Sequence, residues 1–205
     1  ASDFNDYGRS KLAEAFIQYT RGGDDMFTTV RFGQILSQLL YIHGTGGRVP
    51  YARSAALTSK VGSNPYTPFQ RNYGIEVDQK FKSFQLGAGL VNGTGSSNYN
   101  VVDTDAAKDV YATADYEFDS NGSVAGAYVY FGKAPATGYT NDFNQIGVMF
   151  NLLRERFAVT GVALAGNDTK NKKGDKQKSI MGYLQVDCKA MGDKVVPFAR
   201  YDFVD

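Results

Sequence analysis

The chain of 205 residues has no tryptophan, one cysteine and one histidine. A lone Cys188 excludes an internal disulfide and any Cys-x-x-Cys metal or haem attachment. Long hydrophobic runs are missing too. The longest apolar block, Ile35–Ile42, is broken by Ser37 and Gln38, and a membrane helix needs roughly 18 uninterrupted apolar residues. Neither sign of charge dominates, with 22 Lys and Arg against 21 Asp and Glu, so net charge gives no argument for nucleic acid. The chain opens Ala1-Ser2-Asp3 without a basic and apolar leader, so any secretion signal is expected to be removed already or missing. Lack of an apolar helix does not argue against a membrane, because barrels cross on alternation alone.

Glycine (23), tyrosine (14) and phenylalanine (14) are plentiful. That mixture suits many short strands joined by tight turns and does not suit a helical bundle. Period-two alternation recurs in ten segments: Lys11–Thr20, Phe27–Gln34, Tyr73–Phe81, Phe84–Asn92, Asp109–Phe118, Ser123–Lys133, Phe143–Leu152, Phe157–Gly166, Ser179–Cys188 and Val195–Val204. In the clearest, Tyr73, Ile75, Val77, Gln79 and Phe81 share one face while Gly74, Glu76, Asp78 and Lys80 take the other. Most segments approach the roughly 9–11 residues that cross a bilayer at a tilt.

The connections are expected to alternate in length. Short ones lie at Arg21–Met26, Lys82-Ser83, Asp119–Gly122, Leu153–Arg156 and Lys189–Lys194; longer ones are Ile35–Asn72, Gly93–Lys108, Ala134–Asp142 and Asn167–Lys178. Short turns at one rim and long loops at the other is the outer-membrane arrangement. A soluble lipocalin-like barrel has the same alternation with its faces inverted, and parity alone does not tell inside from outside. Against it stand the one-sided long loops, the acids and bases on the polar faces, and rings at strand ends. Tyr19, Phe27, Phe81, Phe84, Phe118, Phe150 and Phe157 lie near short turns, and Tyr73, Phe131 and Phe143 lie at the opposite ends. The expected fold is therefore all-β, an antiparallel transmembrane β-barrel of about ten visible strands.

The stretches KLAEAFIQY, FTTVRFGQI, NPYTPFQRNYGIEVDQKF, LGAGLVNGTG and VVPFARYDFVD resemble the phosphate-selective porin superfamily. The resemblance spreads over most of the chain but rests on loose strand and turn motifs. It implies an outer-membrane pore, monomeric or trimeric; some relatives sheathe multihaem cytochromes. Family barrels usually have about sixteen strands and end on an aromatic residue. With ten strands and the ending Phe203-Val204-Asp205, residues 1–205 are expected to form a single barrel domain that is incomplete at the C-terminus or at both termini.

Candidate chemistry is sparse. His43 lies in the Ile35–Asn72 connection, away from any strand face where a Ser-His-Asp triad would need it. Cys188 shares parity with Ile180, Leu184 and Val186 and reads as a small hydrophobe. Gly44-Thr45-Gly46-Gly47-Arg48 lacks the Gly-Lys-Ser/Thr ending of a phosphate loop. The informative feature is charge. No acid occurs between Asp25 and Glu76, while Arg31, Arg48, Arg53, Lys60 and Arg71 fall inside. The five read either as a basic outer loop that contacts lipopolysaccharide phosphates or as part of a constriction; with Glu76, Asp78, Lys80, Arg200 and Asp202 on strand faces, they are the expected pore-lining or constriction residues.

The expected function is passive diffusion of small hydrophilic solutes through the bacterial outer membrane, with anions preferred. The alternative is a structural sheath holding a multihaem cytochrome for electron transfer. Neither needs catalytic residues, a metal or a cofactor of its own. Expected partners are outer-membrane lipid and lipopolysaccharide, with no nucleic acid.

Overall fold

The structure, a computed structural model, describes residues 15–36, 67–68, 71–93, 107–136, 139–169, 175–189 and 195–205. Ten strands follow one another: β1 (Ala15–Gly22), β2 (Met26–Leu36), β3 (Arg71–Phe81), β4 (Phe84–Val91), β5 (Asp109–Glu117), β6 (Val124–Ala136), β7 (Tyr139–Leu153), β8 (Phe157–Asp168), β9 (Gln177–Cys188) and β10 (Phe198–Val204). They form one antiparallel sheet in simple sequence order. Each expected segment is a strand, with ends displaced by a few residues. The part of the first segment before Ala15 lies outside the described residues. Among those residues β1 and β10 each pair on one side only, with β2 and β9 respectively.

One expectation is corrected. Ala134–Asp142 is not a long connection, because β6 and β7 stay paired to Ala136↔Tyr139. The hairpin ladder outcompetes a loop here since even Pro135 is accommodated opposite Thr140. The remaining long connections, β2–β3, β4–β5 and β8–β9, share one rim. At the other rim, backbone bonds lace neighbouring turns together: Lys82 N donates to Asp25 O (2.5 Å) and Glu117 N to Ser83 O (2.8 Å). Lys82 takes a left-handed φ of 50° to make its two-residue turn.

The two faces differ sharply. Among the described residues, 28 large apolar side chains are exposed and 11 are buried, while 16 polar or charged side chains are buried. Soluble proteins show the reverse. The exposed face is continuous. Register runs Phe81, Phe84, Tyr116, Ala125 and Phe150 side by side near the short turns, and Phe84 and Tyr116 have ring centroids 4.6 Å apart. The middle of that face carries Val77, Ala88, Ala112, Val129 and Ile146 as successive partners. Towards the long rim Ile75, Leu90, Val110 and Phe131 follow. Most of the rings expected at strand ends lie on the exposed face. Phe27 and Phe143 are exceptions that alternation carries to the opposite face: Phe27 partners Lys80, and Phe143 partners Gly132 and is buried.

Candidate functional site

The sheltered face is a wall of polar and charged groups fixed on adjacent strands. Its centre is Arg31 on β2. The Arg31 Nη2 lies 2.7 Å from Glu76 Oε1 and 2.6 Å from Asp78 Oδ2, both on β3. Register sets Arg31 directly opposite Glu76, so one guanidinium spans two carboxylates that share a face two residues apart. Glu76 is 0% exposed. Its second oxygen accepts from the Tyr111 hydroxyl on β5, across the intervening strand β4.

That reach over β4 depends on Gly89, which separates Glu76 and Tyr111 in the cross-strand row. A Cβ at Gly89 would lie 2.3 Å from the Tyr111 ring, so only glycine lets the ring lie across the strand. The row continues into β6 and β7. Tyr111 and Tyr130 stack with centroids 6.3 Å apart, and Tyr130 and Phe143 at 5.9 Å. Tyr130 donates to Asp109 Oδ2 at 2.7 Å, and the Lys133 amide donates to Asp109 Oδ1 at 3.0 Å. Gln145, the partner of Tyr130 in β7, is buried at 0% exposure.

A second group sits on β9 and β10. Arg200 Nε donates to Asp202 Oδ2 at 2.9 Å, and the Gln185 amide donates to Asp187 at 2.9 Å. Lys80 lies 3.7 Å from Glu117 and 5.9 Å from the Phe27 ring centroid. Both members of the Lys80 pair are partly exposed, so this contact adds little.

The expected residues therefore divide. Arg31, Glu76, Asp78, Lys80, Arg200 and Asp202 occupy the sheltered face. Arg48, Arg53 and Lys60 lie outside the described residues, as does His43. Arg71 begins β3 on the parity of Tyr73 and Ile75, the opposite parity from Glu76. Arg31 is also not an isolated cation, because two carboxylates hold it. Sequence reading missed Asp109, Tyr111, Asp115 and Tyr130. The signal was present in β5, where Asp109, Tyr111, Thr113, Asp115 and Glu117 share one parity.

Within the described strands this face carries three bases (Arg31, Lys80, Arg200) and eight acids (Glu76, Asp78, Asp109, Asp115, Glu117, Asp168, Asp187, Asp202). An acid-rich wall attracts cations and repels anions. Comparison with protein-family models, curated proteins and solved structures finds no match to this chain.

Proposed function

We propose that the chain is the wall of a transmembrane β-barrel in the bacterial outer membrane, and that it conducts small hydrophilic solutes. The observation that carries this reading is the inversion of the sheet: apolar side chains exposed, charged and polar ones sheltered. In water such an apolar expanse would drive association. In a bilayer it is the stable arrangement, with rings at the interfaces and a hydrated interior.

Bulky side chains favour the pore over a sheath. A protein threaded through the interior needs room, whereas the sheltered face carries the large side chains Tyr111, Tyr128, Tyr130, Phe143 and Tyr183. The strands on their own favour cations. An anion preference would depend on the acid-free stretch containing Arg48, Arg53 and Lys60, which lies outside the described residues.

Planar-bilayer recording under a potassium chloride gradient tests both levels. Stepwise conductance supports the channel, and the sign of the reversal potential identifies the preferred ion. Purified protein that inserts into bilayers yet never conducts would refute the reading.

A further inference from the structure

Four glycines of the sheltered face stand inside strands: Gly89 on β4, Gly126 and Gly132 on β6, and Gly147 on β7. Glycine weakens a strand interior unless the backbone or a close neighbour requires it. None of the four takes a left-handed φ, so backbone conformation does not require them. Close approach does. Each is the direct cross-strand partner of a larger sheltered residue: Gly89 of Tyr111, Gly126 of Asp115, Gly132 of Phe143 and Gly147 of Leu164. A Cβ at Gly126 would fall 2.0 Å from Asp115 Oδ1, one at Gly132 2.3 Å from the Phe143 ring, and one at Gly147 2.2 Å from Leu164 Cδ2. As at Gly89, the nearest atom belongs to the partner's side chain and not to backbone. Side chains of a strand ordinarily stand roughly perpendicular to the sheet. These four lean over the neighbouring strand instead, and the bare glycine is the space they lean into.

We propose that Gly89, Gly126, Gly132 and Gly147 set the bore of the channel by seating these side chains along its wall. The inference rests on the channel reading, in which the sheltered face is the lumen. A methyl at any of the four positions unseats the partner, and the side chain gives way because its outer atoms are what the methyl meets. Both the methyl and the displaced group then take up lumen, and pore diameter governs what a channel passes. The exposed face supplies a contrast. Gly161 on β8 partners Phe150 on β7, and a Cβ there would fall 2.3 Å from the Phe150 ring. That ring is displaced towards lipid, so the same kind of overlap leaves the bore unchanged.

Single-channel conductance of G132A, G147A and G161A tests it, in about 1 M potassium chloride, where screening over roughly 3 Å suppresses charge effects. G132A and G147A carry apolar partners, so they alter size without altering charge. Each should lower conductance, by about twofold when combined, and should exclude polyethylene glycols that the native channel admits. G161A should conduct like the native chain. Removing the displaced ring in G132A/F143A should restore conductance, and G147A/L164A should do the same for the second pair. Should G132A fail to insert, G147A and G147A/L164A carry the same comparison. Native conductance in both G132A and G147A, an equal drop in G161A, or no recovery in the two rescue variants would overturn the inference. A native chain that inserts without conducting counts against the channel reading, whereas a conducting native chain with unaltered G132A and G147A counts only against the role of the glycines.

Discussion

Tyr111 donates its hydroxyl hydrogen to Glu76, 35 residues away in the chain and two strands away in the sheet. Gly89 makes the contact possible by leaving β4 bare beneath the ring. Adding a methyl there in G89A should force the ring aside and strip Glu76 of a buried donor. The expected loss is about 1–3 kcal/mol, read from denaturant unfolding in detergent. Y111F should lose part of this, since its ring remains in place. In a Y111A background G89A should cost clearly less. An equal loss there would mean that the ring is not what the methyl meets.

The Arg31 pair of contacts predicts a larger effect. Both carboxylates are almost wholly shielded, with side chains 0% and 2% exposed. R31Q leaves them facing each other without the guanidinium, which should destabilise by about 3–5 kcal/mol. The triple variant R31Q/E76Q/D78N removes the charges together and should recover most of that loss. Equilibrium unfolding of the single and triple variants measures the difference, and a triple variant no better than R31Q would contradict the account.

Most of the architecture was legible because strands with opposite faces write period two into the sequence. Tyr73–Phe81 shows this without a break, and its neighbours follow. Parity assigns residues to two faces but does not say which is sheltered, and the burial of Glu76 beside the exposure of Ile75 decides that. The length of the β6–β7 hairpin was not legible, because Pro135 and Gly138 signal a loop in isolation while pairing across the hairpin carries the ladder past Pro135. Phe27 and Phe143 read as interface rings from their position near strand ends, yet parity takes them to the sheltered face. The Tyr111–Glu76 contact was hidden because it joins residues on non-adjacent strands, where neither propensity nor alternation carries a signal.

At the short rim, Asp119 binds the turn of the β5–β6 hairpin. Its Oδ1 accepts from the amides of Ser123 and Asn121, both at 3.0 Å, and its Oδ2 from Arg154 at 2.7 Å. Chiefly through the Ser123 amide, these bonds hold its carboxyl at about 2, below the ordinary 3.8. A depressed folded value stabilises the turn above pH 3.8, and that contribution disappears as pH falls through about 2. Hydrogen exchange should therefore show the Ser123 amide better protected in the native chain than in D119N at pH 6, with the difference closing towards pH 2. A difference that persists unchanged at pH 1.5 would exclude carboxylate ionisation as its cause.

The central claim is that the apolar face meets lipid and the charged face does not. Single spin labels in the protein reconstituted into vesicles test it directly, with oxygen as the lipid-soluble relaxant and a nickel chelate as the water-soluble one. Labels at Ile75, Leu86, Val148 and Leu184 should respond to oxygen and not to nickel, and labels at Asp78, Thr113 and Gln185 should show no lipid-like oxygen response. Lipid-like relaxation at Asp78 and Thr113, with nickel relaxing Val148 and Leu184, would contradict the account.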